Sequence, residues 1–474
     1  MDPYSRRLVR TVAVLVCLLL SLPRAIVAGQ QPTAVDPIRP FLASESTAFL
    51  LENARVVDGT GAPAREGLSL LIQDGVIAAI GPRTEIKAPA TAERIDLTGH
   101  TILPGLIMMH EHLGYAVGNN PDPSVDQVGQ PHPHSIPKLL LAAGVTTART
   151  AGSDNPQVEL NLKQRIDSGA AVGPTVFTGP FLNGPERAYL GDFVVRTVEE
   201  AREVVRFWVG RGATMIKVYE NIAPDVLQAV IEEAHRLGAH VAGHLGPGTS
   251  CTQAARLGID TIEHGFAECG ADIPPAWRTN PKAVDPRAPE VTTVIETLVE
   301  HQVVIVATPI QWPPSEEELS MLSASQLARY ERVRAAPPPF LQLAANPIPE
   351  LRAFGQAITR AFVAAGGRML IGADATNGGR VPGYANHTAM VLLTDTFSPL
   401  EVIRMATSDA AAFLKIGDRT GRVASGLDAD LLIVRGAPDR DMNDVRNVAY
   451  VFKHGRAYDP RTLREAAKGL VGVH

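Results

Sequence analysis

The order of strand-like and helix-like segments predicts an α/β fold, a (β/α)₈ TIM-like barrel with a small β-sandwich domain built from both termini. Short apolar runs broken by Gly and Asp open the chain and return near its end, which predicts antiparallel strands joined by tight turns. Between them, apolar runs alternate with amphipathic segments, and repeated βα units form parallel sheets. Ligand-type side chains also stand at the ends of several predicted barrel strands.

The first segment predicts export rather than part of the fold. A basic stretch with three arginines precedes an apolar run at residues 11–22, and small residues before Gly29 suit a signal peptidase. This run is shorter than the roughly 20 residues that cross a bilayer as a helix. We therefore predict a signal peptide over residues 1–28 and a periplasmic or secreted protein, with an uncleaved anchor as the alternative. The sequence does not decide between the Sec and twin-arginine routes.

Changes in composition set the domain boundaries. Residues 29–47 are rich in Pro, Gln, Ser and Ala and are predicted to be a linker. Residues 48–103 and 413–474 are predicted to form the two parts of the β-sandwich domain, and residues 104–412 are predicted to form the barrel. A barrel strand is predicted in each of the segments ILPGLIMMHEH, VTTART, PTVFTG, TMIKVYE, AHVAGHLG, IDTIEHG, HQVVIVATP and RMLIGADA. An open doubly wound sheet is the competing fold, but the Gly-rich phosphate turn typical of it is not seen.

Composition indicates neither nucleic acid nor a membrane surface as a partner. The 474 residues carry a formal charge of −6, with 45% hydrophobic residues, and no run of like charge predicts nucleic acid or membrane-surface binding. We expect no nucleic acid and no membrane contact after signal cleavage, and a homo-oligomer is left open. Cys251 and Cys269 would remain in an oxidising compartment, where a disulfide and two buried thiols are both compatible with the sequence.

Metal-ligand residues occupy the strand ends where barrels of this kind place their active sites. His110 and His112 end the first predicted strand on one face, because strand side chains alternate, while Glu111 faces the helices. Further strand ends carry Lys217 (fourth strand), His244 (fifth), His264 (sixth) and Asp374 (eighth). Imidazole and carboxylate bind zinc-like ions. Each residue alone is weak evidence, but together they predict a metal centre.

These motifs resemble the amidohydrolase superfamily. The matching segments are PGLIMMHEHL (104–113), IKVY (216–219), AGHLG (242–246), IDTIEHG (259–265), GADA (372–375) and TGRVASGLDADLLIV (420–434). The imidazolonepropionase-like and prolidase-like members, which include exported peptidases and ochratoxinase-like amidases, are the most similar. Two departures are Met108, where the family often has Asp, and Thr150 at the end of the second strand, where it also often has Asp.

The resemblance implies two divalent metal ions, with zinc expected. It implies that His110, His112 and Asp374 bind the first ion and that His244 and His264 bind the second. Lys217 would be carboxylated on its side-chain nitrogen by CO₂ and would bridge the two.

The implied reaction is hydrolysis of a peptide-like or N-acyl amino acid amide by a metal-bridging hydroxide. Asp374 would act as general base and then as general acid. Lactone, ester or organophosphate hydrolysis on the same metal site is the alternative. A deaminase is disfavoured, since Pro247 stands where resembling deaminases have Glu. A non-catalytic ligand-binding barrel is disfavoured because no expected ligand is missing.

Three aromatic residues are candidates for substrate contact. Tyr219 is predicted to share the inward face of Lys217, and Tyr115 lies in the loop after the first strand. Trp312 lies in the Pro-rich stretch 309–349, which we expect to cover the site as a lid or rim. An ordinary packing role is an equal alternative for Tyr219 and Trp312.

Overall fold

The computed structural model describes residues 36–117, 128–185, 193–246, 248–273, 285–376 and 378–472. The predicted signal peptide lies outside these residues, as does part of the predicted linker. Among the described helices, none is both long and apolar enough to span a bilayer.

The N-terminal part forms five strands of one sheet. These are β1 (Ala48–Val56), β2 (Arg65–Gln73), β3 (Val76–Gly81), β4 (Glu93–Asp96) and β5 (His100–Pro104). Antiparallel hairpins join β1 to β2 and β2 to β3, whereas β4 and β5 pair with β1 in parallel. The apolar runs of the sequence thus supply the buried side of this sheet.

Parallel strands form the barrel. Its strands, with the short ones that accompany them, are β6 (Leu106–Glu111), β7 (Gly114–Val117), β8 (Val128–Pro131), β9 (Val145–Thr150), β10 (Thr175–Phe177), β11 (Phe181–Asn183), β12 (Phe193–Val194), β13 (Met215–Val218), β14 (His240–Gly243), β15 (Thr261–Ile262), β16 (Val304–Ala307) and β17 (Arg368–Ile371). All six residues of both β6 and β9 are buried, as expected for strands covered on both faces. The exception is β7–β8, an antiparallel hairpin after the first barrel strand.

The barrel order runs from β6 through β9 to β10, and then from β11 through β13, β14, β15 and β16 to β17. A parallel bridge between Ser153 and Pro180 connects the two groups of strands, so that β10 and β11 act as one interrupted third strand. The backbone N–H groups of Ala373 and Asp374 donate to the His110 carbonyl at 3.1 and 3.0 Å, which brings the end of β17 against β6.

Helices follow the barrel strands, and one further helix lies near the C-terminus. They are α1 (Ile136–Ala142), α2 (Pro156–Asp167), α3 (Val198–Val209), α4 (Pro224–Arg236), α5 (Cys251–Leu257), α6 (Pro289–Glu300), α7 (Glu316–Leu319), α8 (Ala324–Ala335), α9 (Pro339–Ala345), α10 (Pro349–Ala364), α11 (Tyr384–Leu393), α12 (Pro399–Met405), α13 (Ser408–Phe413) and α14 (Pro460–Glu465). Start signals in the sequence explain several bounds. The Thr197 side chain caps α3 by accepting from the Glu200 N–H, and Pro224 opens α4 where its missing N–H costs nothing.

The C-terminal strands complete the first sheet. They are β18 (Leu431–Arg435), β19 (Val448–Lys453) and β20 (Arg456–Tyr458). Strand β18 pairs antiparallel with β5, so both ends of the chain contribute to one sheet, and the Phe49 and Phe452 rings pack 5.1 Å apart. The fold is therefore the predicted TIM-like barrel with a β-sandwich domain built from both termini.

Candidate metal centre

Four histidines from three barrel strand ends meet at one point. The ring centroids of His110 and His112, at the end of β6, lie 5.4 Å apart. His264, after β15, lies 4.6 Å from the His110 ring and 4.7 Å from the ring of His244, which follows β14. Residues separated by more than 150 positions in sequence are thus neighbours at the C-terminal end of the barrel.

The Asp374 carboxylate, after β17, faces this cluster. Its Oδ1 lies 3.3 Å from His112 Nε2 and 3.7 Å from His110 Nε2, and its Oδ2 lies 3.9 Å from His264 Nδ1. Two ligands about 2.1 Å from one tetrahedral ion stand roughly 3.4 Å apart, so these separations suit donors that share a cation. The ligand atoms of His110, His264 and Asp374 all lie within 4.8 Å of one another.

A second group of donors lies beside the first. The ligand atoms of His244, His264 and Glu268 also fall within 4.8 Å of one another. The side chain of Lys217, at the end of β13, is 1% exposed, and its amine lies 5.6 Å from the Tyr219 ring centroid. Burial lowers the pKa of this amine, although the nearby carboxylates of Glu263, Asp374 and Glu268 oppose the shift.

Buried hydrogen bonds orient the two histidines of β6. His110 donates from Nδ1 to Glu263 Oε2 at 2.6 Å, and Arg149 donates from Nη2 to Glu263 Oε1 at 2.6 Å. His112 donates from Nδ1 to the Gly152 carbonyl at 3.1 Å. Both rings therefore hold Nε2 toward Asp374. Metal-binding histidines commonly have such a carboxylate or carbonyl on the opposite ring nitrogen.

The pKa shifts keep lone pairs available on three of the histidines. Burial lowers the pKa of His110 to about 4 and that of His264 to about 3, so both imidazoles are neutral near pH 7. Burial also holds the pKa of His244 well below its usual value. For His112 burial acts in the same direction, but the hydrogen bond to Asp374 outweighs it and raises the pKa. Burial alone would raise the pKa of Asp374, but the hydrogen bond from His112 and the neighbouring histidines hold it well below the usual range. Neutral imidazoles and a carboxylate are the forms that bind divalent metals.

Backbone conformation places some of these donors. His264 and Asp374 have φ values of 59° and 47°, in the left-handed region that non-glycine residues rarely adopt. Such conformations cost about 1–3 kcal/mol each and cluster at functional sites. Gly372 lets β17 approach the first ligand closely, because a Cβ there would lie 2.3 Å from the His110 Cβ.

Of the three aromatic residues predicted to contact substrate, one lies at the metal centre and two are buried in the core. Tyr219 stacks on His244 with ring centroids 4.2 Å apart, so it lies beside the second donor group. Tyr115 is 0% exposed and donates to the Arg380 carbonyl at 2.8 Å, and Trp312 is 8% exposed and donates from Nε1 to the Gly378 carbonyl at 2.9 Å. Tyr115 and Trp312 are therefore buried packing residues, and their polar atoms are engaged by the backbone.

Sequence reasoning missed four acidic or basic residues around the donors. Arg149 and Glu263 support His110, and Glu268 joins His244, as described above. Glu220 Oε1 lies 4.0 Å from His244 Nε2. Their sequence signal is only adjacency to a motif, as with Glu263 directly before His264, and nothing in the spacing indicated which way they point.

A cavity of about 530 Å³ opens beside the centre. His264 and Thr308 border it, and most of its remaining lining is apolar, including Phe266, Leu343 and Phe354. The segment predicted as a lid supplies part of this wall through Leu343. The cavity therefore gives an apolar group access to the neighbourhood of the histidines.

Comparison with known proteins identifies the relatives of this arrangement. A model described as the amidohydrolase family matches residues 101–458, more than half of the chain. Ochratoxinase from Aspergillus niger is 22% identical, over 87% of this chain and 87% of that enzyme.

Solved structures share the fold. A candidate prolidase from Bifidobacterium longum is 25% identical, covers 86% of this chain and 94% of its own, and superposes with a TM-score of 0.65. A Xaa-Pro dipeptidase at 22% identity covers 87% of this chain and 100% of its own, with a TM-score of 0.63.

Proposed function

The chain belongs to the amidohydrolase family and is a hydrolytic enzyme acting on carbon–nitrogen bonds, and on that premise we propose that it hydrolyses the amide bond of a peptide or N-acyl amino acid. The observation that carries the proposal is the convergence of His110 and His112, each with Nε2 directed at Asp374. Two imidazoles opposite a carboxylate are a donor set for a divalent cation. The chemistry of these residues therefore fits the metal that the family implies.

Two ions, with zinc as the expected metal, are part of the proposal. His110, His112 and Asp374 would hold the first ion, and His244 and His264 the second. Lys217, carboxylated on its side-chain nitrogen, would bridge them. The 1% exposure of Lys217 supports this role, because a buried charged amine without an anionic modification or partner is costly.

When bound, the ions would polarise the substrate carbonyl and lower the pKa of a water to about 7. Asp374 then takes up the proton of the attacking water and returns it to the leaving nitrogen, as general base and then general acid. Its position between His110, His112 and His264 keeps the carboxylate ionised before attack. Glu263 and Arg149 fix the His110 ring.

The cavity supports a substrate class. Its volume of about 530 Å³ and its apolar lining beside His264 suit an aromatic or aliphatic group next to the scissile amide. We therefore expect N-acyl amino acids and dipeptides with a bulky apolar group to be cleaved faster than small polar analogues.

Asp374→Asn tests the proposal on zinc-loaded protein. Loss of the proton acceptor should lower kcat by at least about 100-fold. Because the change also removes a carboxylate ligand, turnover is measured at a zinc concentration at which elemental analysis gives the same metal content as in the wild type. The control is Asp225→Asn, at an exposed site in the first turn of α4, which should cleave at the wild-type rate. Wild-type turnover in Asp374→Asn would refute the assignment. Turnover of a matched ester or lactone without detectable cleavage of the amide would identify the alternative bond class.

We also propose that the protein acts outside the cytoplasm. The basic and apolar pattern of residues 1–28 supports export. The disulfide between Cys251 and Cys269 supports it as well, since such bonds persist in oxidising compartments. N-terminal sequencing of the protein recovered from the extracellular or periplasmic fraction should begin near Gly29. Recovery only in the cytoplasm with Met1 retained would refute export.

A further inference from the structure

Glu268 stands out among the acidic residues near the second donor group. It lies on a single 3₁₀ turn, Gly265–Cys269, that begins directly after His264. Its side chain is 10% exposed, and its Oε1 lies 3.6 Å from His244 Nε2. A nearly buried carboxylate is costly unless cations or hydrogen bonds compensate for its lost hydration.

The separation between Glu268 and His244 suits two ligands of one ion. At 3.6 Å the two atoms are beyond the usual hydrogen-bond distance. Two ligands about 2.1 Å from a tetrahedral ion are roughly 3.4 Å apart. The third member of the group is His264, and the ligand atoms of all three lie within 4.8 Å of one another. One cation can therefore be reached by all three side chains without a large movement.

A covalent link holds this carboxylate near the histidine. Cys269, the residue after Glu268, forms a disulfide with Cys251, the first residue of α5. The loop from β14 to α5 carries His244. The disulfide therefore joins the segment that bears Glu268 to the segment that bears His244, which limits how far the two donors can separate.

We propose that Glu268 is a carboxylate ligand of the second divalent ion, together with His244 and His264. This inference rests on the proposed two-metal site. It adds Glu268 as a second carboxylate ligand beside the carboxylated Lys217. A Zn²⁺ or Co²⁺ ion is the chemical class of ligand for which the group is suited.

The test compares Glu268→Gln with Glu220→Gln in the full-length zinc-loaded protein. Glu220 is the matched control, because its Oε1 also lies near His244 Nε2, at 4.0 Å, but it is outside the group of three donors. Zinc per chain is measured by elemental analysis, and zinc release is followed against increasing concentrations of a chelating indicator. The visible absorption spectrum of the cobalt-loaded protein reports ligand changes independently of catalysis. Thermal unfolding of each variant confirms that it is folded.

Glu268→Gln should lower the affinity for one of the two bound ions by at least about tenfold. Removing only the hydrogen-bond partner of a metal ligand already lowers metal affinity by about 10- to 100-fold, so loss of a ligand itself should cost at least the lower value. The same variant should also change the cobalt spectrum, whereas Glu220→Gln should match the wild type in both measurements. Wild-type affinity and spectrum in Glu268→Gln would overturn the inference, and so would equal losses in the two variants, which would reflect charge alone. If His244→Ala leaves metal content unchanged, the proposed two-metal site itself fails.

Discussion

The buried ion pair between Arg149 and Glu263 allows a quantitative test of how the first ligand is held. Both side chains are 0% exposed and lie 2.6 Å apart, with Glu263 also accepting from His110. In Glu263→Gln the guanidinium stays buried without its counter-charge. Removing one partner of such a pair costs about 3–5 kcal/mol of stability. The same change loosens His110, which should lower metal affinity by about 10- to 100-fold.

Urea unfolding followed by far-UV circular dichroism measures the stability loss, in chelator to remove any contribution from metal, after a check for a single transition. Arg149→Met should cost a similar amount. The stability loss of the double variant should be about 2 kcal/mol smaller than the sum of the losses in the two single variants, because the double variant leaves no unpaired charge. Glu232→Gln, in the exposed pair with Arg202, is the control and should cost less than about 1 kcal/mol. A loss below about 1 kcal/mol for Glu263→Gln, or strict additivity in the double variant, would refute the reasoning.

Two further predictions concern stability away from the donors. Replacing Cys251 and Cys269 with Ser removes a link across 18 residues and should lower the free energy of unfolding by about 3 kcal/mol. Denaturant unfolding should give the same loss for the variant and for the reduced wild type. Equal stability of the oxidised and reduced wild type would contradict the prediction. Burial lowers the pKa of His387 to about 3, below about 6.5 in the unfolded chain, so the stability it contributes is complete above pH 6.5 and is lost as the pH falls toward 3. Between pH 7.5 and pH 5, the free energy of unfolding of the wild type should therefore fall by about 2 kcal/mol more than that of His387→Gln. The control, His301→Gln at an exposed site, should have the same pH profile of stability as the wild type. Identical profiles for the wild type and His387→Gln would refute the burial argument.

Much of the fold could be predicted because local patterns determine it. Continuous apolar runs such as β6 and β9 are typical of strands buried on both faces, and the rule that barrels place their sites at C-terminal strand ends directed attention to His110 and Asp374. The third barrel strand was harder to predict. It is interrupted between β10 and β11, and a single segment was predicted in its place. Short-range patterns do not show where a strand breaks.

The partners of the donors could not be predicted, because they depend on contacts between distant segments. Glu263 directly precedes His264, and strand alternation would direct the two side chains to opposite faces. The strand β15 ends at Ile262, and His264 has a left-handed conformation, so alternation does not apply there. Tyr115 illustrates the converse, since its position in a loop near the site suggested substrate contact, whereas its hydroxyl is held by a backbone carbonyl in the core.

Pairing of β5 with β18 has a consequence for synthesis of the chain. Leu431 and Pro104 face each other in this ladder, so β5, at the edge of the N-terminal strands, receives its second neighbour only after the whole barrel has been made. Until then, β5 presents unsatisfied amides and carbonyls of the kind that recruit other chains. A nascent polypeptide that stops before Leu431 would therefore be prone to self-association, and synthesis of β18 would cover the exposed edge of β5.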